Sequence, residues 1–542
     1  MDPRDQEAKH DSQITEKTSQ EIEKQKLTTY YKIHNMKTIF ILADSTNRRF
    51  LNIYGSRHPA LTPNIDRLAE RGTVFDNHWC GSAPCMPARR DIMTGRLNFL
   101  EKPWGGLEPF DRTLPALLKT RNVYSRMVTD HYLYLSVGGE NYWNDFTSNE
   151  IIRGQEFDSL NLPCGKNGII EQQRPEGYKG IYSQEHDENY RRFQSEEEYP
   201  SPVTLTHAAE WLEENAEADN FLLWVECFDP HEPFDVPQKY IDLYKDDEDF
   251  ENGPCYWPEY RRNNFDEAET RQINTKYKAL LSMTDHYIGR ILDVLDRHQM
   301  WEDTIVIFTT DHGYMLGEHD YLAKNYMPAY NEVFHIPLVI WHPEAKIKRY
   351  SGLTQNTDMF TTILNIFGVD MSQIEYPVHG KNLLPVLLGE DTRVRDGVIY
   401  GYFGKSVNYT DGRYTYFRAS KDEANRPLYV YTAIPTTLRQ YYGAGCIQPG
   451  DYRRIETGRL GWTDYPVFRI PADIIDFKNP SQEYSKRSEF NSETLLFDLK
   501  EDYEQLHPLN DPIIEQRCIE GLMQQLKECQ SPPEQFERLG LQ

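Results

Sequence analysis

The sequence lacks any apolar stretch that could cross a membrane. No uninterrupted apolar run in its 542 residues comes near the roughly 18 residues that a spanning helix needs. Residues 1–35 are polar and charged and have no apolar core of the kind found in export signals. These absences predict a polar N-terminal extension over residues 1–35, a cytoplasmic location and no membrane partner.

Positive charge is also scarce. The 59 Lys and Arg residues are outnumbered by 85 Asp and Glu residues, which gives a formal net charge of −26. Such a balance argues against a protein that binds nucleic acid or anionic membranes. It leaves room for a small anionic substrate, because a pocket on an acidic protein can be locally basic.

Closely spaced cysteine pairs are missing as well. No Cys-x-x-Cys occurs, which argues against a zinc knuckle. Scattered reduced thiols in a chain of this length fit a cytosolic enzyme better than a disulfide framework. The eight cysteines are Cys80, Cys85, Cys164, Cys227, Cys255, Cys446, Cys518 and Cys529.

Short apolar runs rich in β-formers alternate with helical patterns. Near-continuous apolar strands are typical of parallel sheets that helices cover on both faces. The runs lie at 37–43, 221–226, 304–309 and 337–341, and the clearest helical patterns at 204–215 and 275–298. The alternation predicts an α/β fold with a large, mostly parallel mixed sheet flanked by helices. We assign this catalytic domain to residues 36–395.

The pattern changes beyond residue 395. Short strands are predicted at 398–402, 406–409, 414–418 and 495–499, and a closing helix at 512–529. An Asp-Gly turn signal separates the second and third of these strands. We therefore expect a smaller antiparallel α+β subdomain over residues 396–542. Two stretches rich in Pro, Tyr and charge, 230–270 and 420–480, are expected to be long loops that shape a pocket rim.

Acidic and histidine side chains follow four of the predicted strands. In an open α/β sheet, ligands bind beyond the carboxyl ends of the strands. A single Asp after a strand is usually a helix N-cap, but four such positions with Asp and His together indicate one convergent site. The residues are Asp44, Asp130, His131, Asp229, His231, Asp311 and His312.

One short motif carries the strongest chemical signal, Cys85-Met86-Pro87-Ala88-Arg89 followed by Thr94-Gly95. Proline suits the first turn of a helix, so a helix is expected to begin at Pro87, just after the cysteine. A nucleophile there would lie at the positive end of the helix dipole. A thiol phosphatase would need Arg at position 91, which is Asp. The other interpretation is a buried structural cysteine.

This Cys-x-Pro-x-Arg core with its Thr-Gly resembles the signature of the formylglycine-dependent sulfatases, in the alkaline-phosphatase-like superfamily. The resemblance covers most of residues 37–395. It implies that a maturation enzyme, the formylglycine-generating partner, oxidises Cys85 to formylglycine. The hydrated aldehyde would then attack the sulfur of a sulfate ester, release an alcohol and eliminate sulfate.

The resemblance also implies one divalent cation. The residues expected to bind it are Asp44, Ser45, Cys85, Asp311 and His312. Ser45 stands where many members have a second Asp, and His312 stands where many have Asn. Carboxylates favour calcium or magnesium, whereas an imidazole favours manganese or another transition metal. We expect Ca²⁺, with Mn²⁺ or Mg²⁺ as the alternative.

The remaining roles are carried over in the same way. Arg89 would hold the formylglycine hydroxyl, and Lys324 would bind a sulfate oxygen as a point charge. His231 would protonate the leaving alcohol as a general acid. His131 would help to expel sulfate, or would be an ordinary buried histidine.

The sequence therefore predicts a metal-dependent sulfatase. Loops rich in Tyr and Trp favour a sulfated saccharide as its substrate. His312 and Ser45 motivate the alternative of a phosphonate or phosphate ester hydrolase on the same fold. A non-catalytic relative that binds glycans or anions is the third hypothesis. No nucleic-acid partner is expected.

Overall fold

A computed structural model describes residues 36–542 apart from 137–138, 140, 171, 326, 391–392, 436–446 and 476–492. The predicted extension over residues 1–35 lies outside the described residues. None of the described helices combines the length and apolar character that crossing a membrane requires.

The strands are numbered here in chain order. They are β1 Lys37–Ala43, β2 Thr73–Trp79, β3 Ser82–Ala83, β4 Tyr124–Thr129, β5 Ser148–Ile151, β6 Cys164–Gly165, β7 Gly168–Ile169, β8 Phe221–Cys227, β9 Thr304–Thr309, β10 Met315–Leu316, β11 Leu322–Ala323, β12 His335–Ile336, β13 Leu338–Trp341, β14 Arg349–Gln355, β15 Val398–Tyr402, β16 Val407–Thr410, β17 Tyr414–Arg418, β18 Tyr429–Thr432, β19 Glu456–Gly458, β20 Val467–Pro471 and β21 Leu495–Asp498.

The helices are numbered in the same way. They are α1 Pro63–Arg71, α2 Cys85–Thr94, α3 Leu114–Lys119, α4 Gln184–Tyr190, α5 Pro200–Glu214, α6 Gln238–Ile241, α7 Glu267–Arg297, α8 Asn331–Phe334, α9 Asp358–Ile366, α10 Leu384–Leu387, α11 Pro512–Glu528 and α12 Glu534–Arg538.

The large sheet has the order β12-β2-β13-β9-β1-β8-β4-β5, with β14 beside β2. Its centre is parallel, because β9, β1, β8, β4 and β5 all run in one direction. Strand β13 is antiparallel to both of its neighbours, β9 and β2. The predicted α/β fold with a mostly parallel mixed sheet is confirmed.

Strand β1 shows why the central strands are mostly apolar. All seven of its residues are buried, and successive side chains point to opposite faces of the sheet. Ile39 and Ile41 pack into the core beneath α5 and α7. Phe40 and Leu42 pack into the core on the opposite face, with α3 and α9. Burial on both faces excludes the polar alternation of a surface strand.

A second sheet has the order β21-β17-β16-β15-β3. Strands β15, β16, β17 and β21 pair antiparallel, as predicted, and α11 packs on them through Cys518, Leu522 and Leu526. Strand β3, which comes just before α2, joins this sheet by pairing with β15. The second sheet therefore includes residues from both sides of the predicted boundary at 395/396, and that boundary stays a prediction.

The expectation of a long loop over 420–480 is wrong for part of that segment. Strands β18, β20 and β19 form a three-stranded antiparallel sheet. Its strands are short, and charged and proline residues around them hide the alternation in the sequence. Val430 and Ile470 are nevertheless fully buried and hold the sheet to its own small core. The segment 230–270 contains the single-turn α6 and is otherwise mostly irregular.

Candidate active site

The strand-end residues meet at one edge of the large sheet. Strands β9, β1, β8 and β4 are consecutive parallel neighbours, so their carboxyl ends lie side by side. The polar side chains that follow these strands are almost inaccessible to solvent, none being more than 3% exposed. They are Asp44, Ser45, His131, His231, Asp311 and His312.

Helix α2 brings the signature cysteine to the same place. The predicted helix is present, but it begins at Cys85, two residues before the expected start at Pro87, and ends at Thr94. Gly95 caps it in the left-handed conformation, with φ +71°, and donates its N–H to the carbonyl oxygen of Asp91. This conformation explains the Thr-Gly of the motif, because glycine adopts it without steric cost. Sγ of Cys85 lies 3.2 Å from Nε2 of His312.

Arg89 lies one helical turn beyond Cys85, on the same side of α2. Its Nη2 donates to Oδ2 of Asp44 (3.0 Å) and its Nη1 to Oδ2 of Asp311 (2.6 Å). Its Nε donates to Oε2 of Glu226 (3.2 Å). Burial opposes the charge of this guanidinium, but the three carboxylates outweigh burial and raise the pKa of Arg89 well above its usual value. The Arg89 guanidinium therefore holds the carboxylates of Asp44 and Asp311 in fixed positions.

Glu226 is a residue of the site that the sequence did not reveal. It lies inside β8 rather than after it, and it accepts hydrogen bonds from Tyr134 Oη (2.9 Å) and Trp224 Nε1 (2.8 Å) as well as from Arg89. Its only signal in the sequence is an acidic residue within an otherwise apolar strand.

Four ligand groups suit a divalent cation. Side-chain atoms of Asp44, Cys85, Asp311 and His312 all lie within 4.8 Å of one another, and all four residues are buried. Nδ1 of His312 donates to the carbonyl oxygen of Gly313 (2.8 Å), so Nε2 faces the other ligands. Two carboxylates with an imidazole can bind calcium, magnesium or manganese. The residues present therefore fit the cation that the sequence predicts.

Ser45 lies between this ligand group and Lys324. Its Oγ donates to Oδ1 of Asp44 (2.8 Å) and accepts from Nζ of Lys324 (2.8 Å). Burial opposes the charge on Lys324, whereas the Cys85 thiolate, Glu232 and the two aspartates favour it and raise its pKa. Lys324 thus presents a permanent positive charge beside the nucleophile position.

His231 is paired with two carboxylates that the sequence also did not reveal. Its Nδ1 donates to the carbonyl oxygen of Glu232 (2.7 Å) and lies 3.2 Å from Oε1 of Glu156. Burial lowers the pKa of His231 and so does Lys324, but Glu232, Glu156 and Asp44 outweigh both, and the pKa is raised well above its usual value. Protonated His231 is therefore available as a proton donor.

His131 also lies in the site. Its Nδ1 is 4.0 Å from Oδ2 of Asp44 and has no hydrogen-bond partner in the described part of the chain. Burial and the Arg89 charge lower the pKa of His131 well below its usual value. Asp130, by contrast, belongs to the supporting structure, because it accepts from Ser201 Oγ (2.6 Å) and the Phe228 N–H (2.7 Å).

The electrostatic setting of Cys85 suits a nucleophile. Burial and the Asp44 charge oppose ionisation of its thiol. Lys324, His312 and His231 favour ionisation more strongly, and the pKa of Cys85 falls below its usual value of 9.0. The site therefore combines several features. They are a cysteine of lowered pKa at a helix N-terminus, a group of side chains that can bind a divalent metal ion, the positive charges of Arg89 and Lys324, and the protonated imidazole of His231. On this α/β fold, these features suit a hydrolase that acts on an anionic ester.

Comparison with known proteins identifies the family to which this chain belongs. The sulfatase family model matches residues 37–369, and the model described as N-sulphoglucosamine sulphohydrolase, C-terminal, matches residues 317–440. The chain therefore belongs to the sulfatase family and is a sulfuric ester hydrolase, which confirms the prediction from the cysteine motif.

Two of the relatives that are similar in sequence are the following. The multifunctional alkaline phosphatase superfamily protein PehA of Trinickia caryophylli is 26% identical over 419 residues, covering 65% of this chain and 77% of that protein. The N-acetylglucosamine-6-O-sulfatase of Bacteroides thetaiotaomicron is 25% identical over 428 residues, covering 65% of this chain and 71% of that protein.

Two solved structures show the same fold. BT4656, in complex with its substrate D-glucosamine-2-N,6-O-disulfate, has a TM-score of 0.61 at 17% identity, covering 92% of this chain and 99% of that one. The phosphonate monoester hydrolase of Agrobacterium radiobacter also has a TM-score of 0.61 at 17% identity, covering 91% and 96%. At these identities the similarity establishes the fold alone.

Proposed function

We propose that this chain hydrolyses a sulfate ester on a saccharide, through a formylglycine made from Cys85 and with one divalent cation, Ca²⁺. The observation that carries the proposal is the position of Cys85. It lies at the N-terminus of α2 and within 4.8 Å of the ligand atoms of Asp44, Asp311 and His312. The saccharide is supported by two similar proteins, the N-acetylglucosamine-6-O-sulfatase and the glucosamine disulfate complex.

The cation, when bound, would polarise the S–O bonds and lower the pKa of the attacking hydroxyl of the formylglycine hydrate. Asp44 and Asp311 would hold it, with His312 as a further ligand. Arg89 would keep both aspartates aligned through its two Nη contacts. Ser45 would orient Asp44 by its hydrogen bond to Oδ1.

Lys324 and His231 would act on opposite parts of the ester. The Lys324 ammonium would bind a non-bridging sulfate oxygen as a point charge and so hold the anionic ester in place. His231 would give its proton to the leaving alcohol oxygen, because Glu232 and Glu156 keep the imidazole protonated. His131, neutral and close to Asp44, would accept a proton when sulfate is expelled from residue 85.

A phosphonate or phosphate ester hydrolase is the second candidate. His312 and Ser45 favour it, as does the similarity to PehA and to the phosphonate monoester hydrolase fold. Parallel assays with an aryl sulfate, a phosphonate monoester and a phosphodiester distinguish the two. A larger kcat/KM for a phosphorus ester than for every sulfate ester tested would select this candidate. Family membership favours turnover over the non-catalytic binding alternative.

The decisive experiment examines Cys85 itself. The protein would be produced with and without a formylglycine-generating enzyme, and the peptide that contains Cys85 would be analysed by mass spectrometry. We expect the aldehyde in the active preparation only, and no sulfatase activity in Cys85→Ala. Full activity in a preparation that carries only the unmodified thiol would refute the mechanism.

A further inference from the structure

A second group of potential metal ligands is formed by Glu156, His231 and Glu232. One ligand atom from each residue lies within 4.8 Å of the other two, and none of the three residues is more than 5% exposed. Nδ1 of His231 lies 3.2 Å from Oε1 of Glu156 and 3.2 Å from Oε2 of Glu232. Ligand atoms about 2.1 Å from a tetrahedral zinc ion lie about 3.4 Å from one another. The imidazole is therefore already close to the spacing that a shared zinc ion requires from both carboxylates.

Each of the two carboxylates is oriented by a tyrosine. Oη of Tyr132 donates to Oε2 of Glu156 (2.8 Å), and Oη of Tyr260 donates to Oε1 of Glu232. These hydrogen bonds use the oxygen of each carboxylate that does not face Nδ1 of His231. They leave the other two oxygens, Oε1 of Glu156 and Oε2 of Glu232, directed toward the imidazole. Hydrogen bonds from outside a metal site orient its ligands in this way and typically change metal affinity by about 10- to 100-fold.

One of these two oxygens is buried without a hydrogen bond. Oε2 of Glu232 accepts none from the residues that the structure describes. Nδ1 of His231 donates to the carbonyl oxygen of Glu232 instead (2.7 Å), and Nζ of Lys324 forms an ion pair with Oε2 at 3.5 Å. A buried carboxylate oxygen without a hydrogen bond costs free energy. A metal ion bound between the imidazole and the two carboxylates would supply the missing partner.

The donor set favours zinc over the cation proposed for the catalytic site. One imidazole nitrogen and two carboxylate oxygens are ligands that zinc accepts in sites with an open fourth position. Calcium takes six to eight oxygen ligands, and magnesium requires an octahedral set of oxygens. Zinc would replace the Nδ1 proton of His231, which would pass to the solvent, so binding is favoured at mildly alkaline pH.

We propose that Glu156, His231 and Glu232 form a second metal site, which binds Zn²⁺ and inhibits the enzyme. The inhibition rests on the proposed function, in which protonated His231 gives a proton to the leaving alcohol, whereas the binding of zinc does not depend on it. An imidazole with zinc on Nδ1 holds its remaining proton, on Nε2, more tightly than an imidazolium does. Zinc should therefore remove the general acid without displacing the cation from the catalytic site.

Zinc binding is tested first without turnover. The full chain carrying Cys85→Ala and Asp311→Asn, which remove ligands of the catalytic cation, would be titrated with Zn²⁺ by calorimetry. We expect one zinc ion per chain. Adding Glu156→Gln should weaken binding at least tenfold, and adding Tyr132→Phe, which keeps all three ligands, about tenfold. The exposed Glu176→Gln is the control and should leave the Kd unchanged. Absence of binding, or the same Kd in all three added variants, would overturn the site.

The effect on activity is tested with two esters in the wild-type protein, in excess Ca²⁺. An alkyl alcohol needs a proton in order to leave, whereas 4-nitrophenolate does not. Zinc should therefore lower kcat/KM for an alkyl sulfate at least tenfold more than for 4-nitrophenyl sulfate, and Glu156→Gln should abolish this difference. Equal inhibition of both esters would overturn the inhibitory role. Hydrolysis of 4-nitrophenyl sulfate without zinc tests the proposed function separately.

Discussion

At the scale of single residues, the site depends on charges that are buried in compensating sets. Arg89 is matched by Asp44, Asp311 and Glu226. Lys324 is matched by Glu232, with Ser45 as a neutral link to Asp44. Replacing one charged residue of such a set changes the protonation or ion binding of the residues that it contacts. Single substitutions can therefore test each proposed role separately.

Ser45→Asp should strengthen cation binding. Ser45 has φ +62°, a conformation that Asp tolerates better than most residues. A third carboxylate beside Asp44 and Asp311 adds charge to the ligand group. We expect affinity for Ca²⁺ to rise roughly tenfold, measured as resistance of activity to titration with EDTA. Unchanged or weaker retention of the cation would show that the hydroxyl of Ser45 is itself needed.

Glu232→Gln should move the pH profile. In the proposed mechanism His231 acts in its protonated form, so activity should be present below the pKa of His231 and be lost as pH rises through it. Because the Glu232 carboxylate raises that pKa, removing its charge should shift the alkaline limb of kcat/KM to lower pH by about one unit. The measurement is kcat/KM against pH with an alkyl sulfate. The exposed Glu390→Gln is the control, and an equal shift there would contradict this role.

At the scale of elements, the placement of α2, the helix that carries Cys85, depends on the glycine that caps its C-terminal end. Gly95 adopts φ +71°, and a Cβ there would lie 2.5 Å from Cδ1 of Phe360 and 2.8 Å from Cγ1 of Val378. Gly55 has a similar φ of +75°, but a Cβ there would meet nothing within 4 Å. Substitutions at the two glycines therefore separate two costs. Backbone strain is present at both positions, whereas steric crowding by neighbouring side chains is present only at Gly95.

Gly55→Ala should cost about 1 kcal/mol of unfolding free energy, from the left-handed backbone alone. Gly95→Ala should cost a further ~1–3 kcal/mol from overpacking against Phe360 and Val378. It should also lower kcat, because α2 carries Cys85 and Arg89. Urea denaturation and kcat measured on both variants check this. Equal costs would mean that α9 can move away without disturbing the site.

The same scale shows how well the sequence predicted the elements. The predicted central strands at 37–43, 221–226 and 304–309 are confirmed, the second of them extending to Cys227, because a mostly apolar run of this length has few other structures available. Strands β18–β20 were missed, since three to five residues give too little alternation to recognise among charged neighbours. A local sequence pattern identifies a strand only where successive residues of the strand are all buried.

At the scale of the whole molecule, the two main sheets are joined at the site. Strand β3 belongs to the second sheet, and α2 begins immediately after it. Arg96, which follows the helix cap, contacts Cys529 near the end of the chain through Nη2 and the carbonyl oxygen (3.5 Å). Stability of the C-terminal region and placement of the nucleophile should therefore be linked.

Cation binding should raise the stability of the whole chain. A ligand that binds only the folded state stabilises it by about 2.7 kcal/mol at one hundred times its Kd. We expect Ca²⁺ to raise the Tm measured by calorimetry, more than Mg²⁺ at equal concentration, and EDTA to abolish both the increase and activity. Asp311→Asn is the control and should lose most of the response. The same Tm increase in that variant would place the cation elsewhere.

The sequence by itself determined the fold class, the strand-end residues Asp44, Asp311 and His312, and the Cys85 motif. These signals are local: a continuous apolar strand and a helix start can be recognised within a few residues. Only the tertiary structure revealed Glu226 as a partner of Arg89, and Glu156 and Glu232 as partners of His231. Their roles depend on contacts between segments up to 137 residues apart, as for Arg89 and Glu226, which no local pattern encodes.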